Sequence, residues 1–180
     1  GGLLFAGCHK LGGIYRSADN GLTWTDITDG VAGTDVFSFL SLAGEKGFVV
    51  FAGTEPVNLY CSDDLGESWR ELPAVRCLPG AETWTFPPPP HIPHVKSMTA
   101  DPRSSNSFFA CIEQGAVLRT TDAGLTWEQI SSVWRPGDPI YRDAHRLVVA
   151  PWNTNLLFLT TGMGLYRSVD GGVSWARHSE

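Results

Sequence analysis

The chain has 180 residues, of which 42% are hydrophobic and only 18% are charged. This low charged share favours a packed fold over disorder. The formal net charge of −6 argues against a nucleic-acid partner, and no apolar run is long enough for a membrane helix. Four cysteines without CxxC spacing indicate neither a zinc site nor a disulfide scaffold.

An internal repeat dominates the sequence. Four segments align without gaps: RSADNGLTW (16–24), CSDDLGESW (61–69), RTTDAGLTW (119–127) and RSVDGGVSW (167–175). Their tryptophans are separated by 45, 58 and 48 residues. This spacing is near the period of one four-stranded propeller blade, so each interval is expected to hold about four strands.

Strand-like runs and turns between the repeats predict an all-β propeller of four-stranded antiparallel blades. The blades cover residues 1–30, 36–74, 94–132 and 144–180. The first blade begins with a run that matches the second strand of the others, so it lacks its inner strand. The sequence therefore predicts fifteen strands in a single domain or part of one.

The aspartates of the repeat have a structural explanation. Asp19, Asp64, Asp122 and Asp170 lie in the turn between the third and fourth strands, where a carboxylate can accept otherwise unpaired backbone N–H groups. The glycine two residues later is expected to adopt positive φ. The tryptophan that begins the fourth strand is expected to staple the turn to its own blade.

The four segments resemble Asp-box (BNR) repeats, and the chain looks most like uncharacterised bacterial BNR-repeat proteins described as glycosyl hydrolase-like. The resemblance implies a β-propeller, but proteins with this repeat include sialidases, xyloglucanase-type hydrolases, sortilin-like receptors and a photosystem II assembly propeller. Fold alone does not fix function. The Arg-Ile-Pro segment typical of sialidases is absent from this sequence, so sialidase activity is not expected.

Fifteen strands do not close a ring of complete blades. We expect either a piece of a longer propeller or a homodimer in which two copies complete one ring, with a four-bladed closure as a third alternative. An unpaired second strand in the first blade would expose a sheet edge.

The face opposite the repeated turns should carry any functional site. Two long loops, residues 74–94 and 131–145, reach this face together with the ends of the second strands. His9, Glu55 and Glu113 occupy equivalent positions at those strand ends and are expected to ring the central channel. The candidate ligand-binding residues in the loops are Trp84, His91, His94, Trp134, Arg142 and His145.

Two chemistries fit this set of residues. Glu55, Glu113 and Asp143 are the candidate catalytic residues of a glycosidase, which needs two carboxyl groups at a defined spacing. Trp84 or Trp134 could then stack on a sugar ring. A metal site formed by histidines and a carboxylate is the weaker alternative, because His-x-x-His in a loop has low specificity; we therefore predict no metal and no cofactor.

The resulting functional hypothesis is a propeller that binds a ligand or partner, either a carbohydrate or a protein, through its loop-rich face. The alternative is a carbohydrate-active glycoside hydrolase that uses the acidic residues of that face.

Overall fold

The computed structural model of the protein describes residues 2–10, 12–31, 35–45, 47–130 and 143–178. Within these residues the fold consists of four antiparallel sheets, numbered here in chain order. Sheet 1 contains β1 (Leu4–Gly7), β2 (Ile14–Ser17) and β3 (Thr25–Asp26). Sheet 2 contains β4 (Asp35–Gly44), β5 (Gly47–Glu55), β6 (Asn58–Ser62) and β7 (Arg70–Glu71).

The remaining two sheets repeat the pattern of sheet 2. Sheet 3 contains β8 (Val95–Ala100), β9 (Phe108–Ile112), β10 (Ala116–Thr120) and β11 (Glu128–Gln129). Sheet 4 contains β12 (Ala144–Ala150), β13 (Asn153–Thr161), β14 (Gly164–Ser168) and β15 (Ala176–Arg177). The described chain thus has three four-stranded sheets and one three-stranded sheet, as the repeat predicts. Short 3₁₀ helices at Pro73–Cys77 and Ala81–Thr83 lie in the first long loop.

The first strands of sheets 2, 3 and 4 lie side by side. Ser38 Oγ donates to the Val95 carbonyl at 2.8 Å, and Ser97 Oγ donates to the His145 carbonyl at 2.9 Å. These side-chain bonds join the neighbouring inner strands, while apolar clusters fill the spaces between successive sheets. This stacking is consistent with a propeller-like arrangement. No helix among the described residues is long and apolar enough to span a membrane.

The repeated turns are held by hydrogen bonds to their aspartates, as predicted. Asp64 Oδ1 accepts the Ser68 backbone N–H at 3.0 Å, and Asp64 Oδ2 accepts the Ser68 hydroxyl at 2.6 Å. The Gly66 N–H donates to Ser62 Oγ at 2.7 Å, and Gly66 adopts a φ of +92°. The same aspartate bonds recur at Asp19, Asp122 and Asp170.

The ionised aspartates of these turns should make part of the stability of the fold sensitive to acid. Hydrogen bonds from Ser68 lower the pKa of Asp64 to about 2, below its ordinary value of 3.8. A lowered native pKa stabilises the fold above the unfolded pKa, and this contribution is lost as pH falls towards 2. We expect Asp64→Asn to lower the melting temperature by about 2–4 °C at pH 7. The difference in melting temperature between the variant and the parent protein, here called the gap, should become small as the pH falls to 2. A gap of equal size at both pH values would contradict the role of the ionised carboxylate.

The repeat tryptophans reach further than predicted. The indole Nε1–H of Trp69 donates at 2.9 Å to the carbonyl of Ile27, which belongs to the preceding sheet. Trp69 therefore ties its turn to the preceding sheet, a contact that the repeat did not predict, because its ring is long enough to cross the interface.

Two variants compare a tryptophan that bonds across the interface between sheets with one that bonds within its own turn. Trp69→Phe should lower the free energy of unfolding by about 1–2 kcal/mol, because the inter-sheet hydrogen bond and part of the buried ring are lost. The equivalent Trp24 is 43% exposed and donates within its own turn to the Gly21 carbonyl. Trp24→Phe should therefore change the free energy of unfolding by less than about 0.5 kcal/mol. Urea unfolding of both variants makes the comparison, and equal losses would contradict it.

Candidate functional site

Ionisable side chains gather where the first strand of each sheet begins and the second strand ends. This polar cluster comprises His9, Asp35, Glu55, His94, Lys96, Glu113, Asp143 and His145. It lies at the opposite end of the strands from the repeated aspartate turns. The position agrees with the expectation that any site would be on the face away from those turns.

The cluster arises from three strand positions that repeat from sheet to sheet. The first position begins the inner strand and is occupied by Asp35, His94 and Asp143. The second is the extra residue of a β-bulge in that strand and is occupied by Phe37, Lys96 and His145. The third lies at the end of the second strand of sheets 2 and 3, and at the end of its counterpart β1 in sheet 1, and is occupied by Glu55, Glu113 and His9. Because a bulge turns its extra residue out of the regular alternation, it can aim that side chain toward the cluster.

His94 is the centre of the cluster. Its side chain is completely buried, and Nε2 lies 2.8 Å from Glu113 Oε2 in a hydrogen bond. Nδ1 lies 3.2 Å from Glu55 Oε2, yet Nδ1 makes no hydrogen bond within the described part of the chain. Burial lowers the pKa of His94, against the opposing effect of the Glu113 and Glu55 carboxylates. We therefore describe His94 as a neutral imidazole that donates through Nε2 to Glu113.

Aromatic rings enclose this imidazole. Phe37 stacks on it with a centroid separation of 3.9 Å and an interplanar angle of 19°. Phe86, from the first long loop, makes an edge contact at 4.8 Å. These rings keep water from His94, which explains why desolvation dominates its pKa.

Glu113 connects the buried part of the cluster to its accessible part. Lys96 Nζ also lies 2.7 Å from Glu113 Oε2, and His145 Nε2 lies 3.7 Å from Glu113 Oε1. His145 Nε2 is 3.1 Å from Asp143 Oδ1. An isolated antiparallel bridge between Glu113 and Asp143 joins the backbones of sheets 3 and 4 at this point, so the two carboxylates are held by rigid elements.

The cluster includes a set of groups that could hold a metal ion. One ligand atom each from Glu113, Asp143 and His145 lie within 4.8 Å of one another. Carboxylate and imidazole ligands suit zinc or a similar divalent ion. The Lys96 ammonium already supplies positive charge to the same carboxylate, so an ion would compete with it.

Five of the predicted site residues come together here: Glu55, Glu113, Asp143, His94 and His145. Glu55 and Glu113 do not face each other across a cleft, because the imidazole of His94 lies between them. His9 pairs with Asp35 at 2.9 Å. The sequence analysis missed three residues of the cluster, Asp35, Phe37 and Lys96. An alignment of the inner strands would have found them, because Asp35 occupies the first of the repeated positions and Phe37 and Lys96 occupy the bulge position.

The remaining predicted residues lie elsewhere. Trp84 is buried in the apolar cluster between sheets 2 and 3, where little of its indole is left for a ligand. His91 is exposed, and its Nδ1 lies 2.9 Å from the carbonyl of Phe86 in the same loop. Trp134 and Arg142 fall outside the residues that the structure describes, and their roles stay predictions.

Comparison with curated proteins identifies similar sequences among xyloglucanases. Xyloglucanase Xgh74A from Acetivibrio thermocellus is 30% identical over 162 residues, which cover 76% of this chain and 18% of that protein. A xyloglucanase from Hypocrea jecorina is 28% identical over 181 residues, which cover 93% of this chain and 20% of that protein. The chain thus spans about a fifth of the length of these relatives. No protein-family model matches it.

Solved structures share the fold. An ancestral GH74 enzyme superposes with a TM-score of 0.69 at 20% identity, over 93% of this chain and 21% of that one. The GH74 enzyme of Niastella koreensis gives 0.68 at 19% identity, over 97% of this chain and 27% of that one. YCF48 from Cyanidioschyzon merolae gives 0.55 at 17% identity, over 79% of this chain and 39% of that one. These likenesses support the propeller-like arrangement of the sheets.

Proposed function

We propose that this chain forms part of a carbohydrate-active propeller of the glycoside hydrolase type, with Asp-box turns, and that xyloglucan is the first substrate to test. The observation that carries the proposal is its similarity to xyloglucanases across most of its length. That similarity supports the hydrolase alternative more than a propeller that binds an unknown ligand. The proposal covers this chain as one portion of the catalytic assembly, since it spans about a fifth of those relatives.

The polar cluster offers a pair of carboxylates for the reaction. Glycosidases place an acid and a base or nucleophile on either side of the scissile bond, with about 5–5.5 Å between carboxyl groups in retaining enzymes. One oxygen of Glu113 and one oxygen of Asp143 lie within 4.8 Å of each other, so these two carboxyl groups are neighbours in the cluster. We therefore propose Glu113 and Asp143 as the reacting pair.

The contacts of each carboxylate suggest its role. Glu113 Oε2 is held in place by His94 Nε2 and by the Lys96 ammonium, and we assign Glu113 the role of base or nucleophile. Asp143 has only the His145 imidazole as an ionic partner among the described residues, so it is left as the proton donor to the departing sugar oxygen. Glu55 contacts the far side of His94, and we propose that it positions this imidazole without touching substrate.

The test combines binding with turnover. The chain is titrated with xyloglucan oligosaccharides by calorimetry and incubated with xyloglucan while new reducing ends are counted. Release of reducing ends supports the proposal. Binding without release would favour a ligand-binding propeller, and neither binding nor release at millimolar oligosaccharide would contradict a carbohydrate site in this chain.

A further inference from the structure

Three carboxylates of the polar cluster are mostly buried and are only partly balanced by positive charge. The side chains of Glu55, Glu113 and Asp143 are 16%, 10% and 17% exposed. Among the described residues, Lys96 is the one lysine or arginine that forms an ion pair with any of them. Buried charges in proteins are normally paired or coordinate a metal ion. Three carboxylates and one ammonium group leave an excess of negative charge that a divalent cation would neutralise.

The side chains of Glu113, Asp143 and His145 converge with the spacing of metal ligands. His145 Nε2 lies 3.1 Å from Asp143 Oδ1 and 3.7 Å from Glu113 Oε1, and one ligand atom from each of the three residues lies within 4.8 Å of the other two. Bonds of about 2.0–2.2 Å to a tetrahedral zinc ion place neighbouring ligand atoms about 3.3–3.6 Å apart. Two of the three separations are therefore close to those of a bound ion.

The scaffold around these three side chains orients them for binding. The isolated backbone bridge between Glu113 and Asp143 fixes the two carboxylates relative to each other. His94 Nε2 and Lys96 Nζ both contact Oε2 of Glu113, at 2.8 and 2.7 Å. These contacts hold the carboxylate so that Oε1 is the oxygen on the side of His145. Outer partners of this kind orient the ligating carboxylates of metal sites.

An ion can reach these ligands from solvent. The His145 side chain is 41% exposed, although the Glu113 side chain beside it is only 10% exposed. Three protein ligands leave the fourth position of a tetrahedral ion open to water. An imidazole nitrogen with two carboxylate oxygens suits zinc and related transition ions, whereas calcium and magnesium prefer oxygen ligands alone. The donor set thus indicates the class of ion.

We propose that Glu113, Asp143 and His145 form a binding site for a divalent transition-metal ion, with zinc as the ion to test. Glu113 binds through Oε1, so that Oε2 keeps its contacts with His94 and Lys96. His145 binds through Nε2, and the proton of its neutral imidazole then resides on Nδ1. This ligand set differs from the His-x-x-His loop pattern on which the sequence analysis based its prediction of no metal.

Metal binding at this site and the proton transfer proposed above exclude each other. A carboxylate of Asp143 that ligates the ion has no proton to donate to a departing sugar oxygen, and the bound ion lies between this carboxylate and Glu113. Zinc should therefore inhibit the proposed hydrolysis and is not needed for it. Binding itself does not rest on the hydrolase proposal, because it follows from the charge and spacing of the ligands.

The experiment titrates the metal-free full chain with zinc by calorimetry and with Co²⁺ by visible absorption, which reports the coordination geometry. We expect one ion per chain and the absorption of tetrahedral Co²⁺. His145→Leu should weaken zinc binding by about 100-fold or more, because it removes the nitrogen ligand. Lys96→Met should tighten zinc binding by at least about fivefold, because the ammonium charge that opposes the ion is gone.

His9→Leu is the matched control for His145→Leu. His9 Nδ1 lies 2.9 Å from Asp35 Oδ2, but within the described residues His9 forms an ion pair with this one carboxylate only. The variant should therefore bind zinc as the parent chain does.

Each outcome of the titration decides the proposal. No saturable zinc binding, equal affinity in His145→Leu and the parent chain, or weaker binding in Lys96→Met overturns it. Lys96→Met keeps the test decisive if His145→Leu does not fold, because the expected change has the opposite sign. Zinc binding by a chain that does not hydrolyse xyloglucan would support the metal site and count against the hydrolase alone, so the two proposals are tested separately.

Discussion

Replacing Asp143 with asparagine is expected to lower kcat/KM for xyloglucan hydrolysis by about 10²–10⁴-fold, the usual contribution of general acid–base catalysis. Asparagine keeps the size of the side chain and can still bond to His145, whose Nε2 lies 3.1 Å from Asp143 Oδ1. It cannot deliver a proton to the departing sugar oxygen. The loss should therefore be in turnover, while oligosaccharide affinity by calorimetry stays within about threefold.

Glu128→Gln is a matched control for this variant. It also removes a carboxylate charge, but Glu128 lies in β11 and pairs with Arg119, away from the polar cluster. It should leave the rate unchanged. Full activity in Asp143→Asn would show that the proton donor lies elsewhere, and a large fall in melting temperature would show that Asp143 is needed for the fold.

Replacing His94 with leucine is expected to destabilise the protein by about 1.5–3 kcal/mol, because the Glu113 carboxylate loses a buried hydrogen bond from the imidazole. The His94 side chain is completely buried, and its loss would remove the Nε2 hydrogen bond from Glu113 Oε2 and leave the Glu55 carboxylate beside an aliphatic side chain. Glu113 Oε2 would keep the Lys96 ammonium at 2.7 Å. For a chain of this size the melting temperature should fall by roughly 3–12 °C.

Two further variants test the cause of this effect. His91→Leu removes an exposed imidazole from the neighbouring loop and should cost less than about 0.5 kcal/mol. Adding Glu55→Gln to His94→Leu should recover part of the loss, because a neutral amide is less costly than a carboxylate beside an aliphatic side chain. If His94→Leu costs less than about 1 kcal/mol, or if Glu55→Gln worsens it, the carboxylates do not depend on this imidazole.

The candidate site was only partly accessible to sequence reasoning. Alignment of the repeats predicted that Glu55 and Glu113 are equivalent, and loop placement brought His94, Asp143 and His145 to the same end of the sheets. The alignment could not predict that His94 lies between the two glutamates. That arrangement depends on the β-bulge at Lys96 within sheet 3 and on stacking of His94 against Phe37 of sheet 2, which is a contact between different sheets.

The first long loop illustrates the same limit. Aromatic and histidine residues in a loop predict an exposed binding surface, yet Trp84 is buried between sheets 2 and 3, and Phe86 is the loop residue that contacts His94. A tryptophan can bury on the order of 200 Å² of apolar surface, so packing competes strongly with ligand binding for such a side chain. Which aromatic residue is buried depends on the path of the loop, and local sequence does not specify it.

By itself the sequence determined the turn chemistry, the number of strands and their division into four sheets. Each of these depends on short-range features: Asp64 bonds to Ser68 four residues away, and strand-like runs between turns mark the strands. The tertiary structure decided which polar groups meet and which aromatic residues are buried. These outcomes depend on contacts such as that of Trp69 with Ile27, 42 residues apart in the chain, and such pairs form only when the sheets pack together.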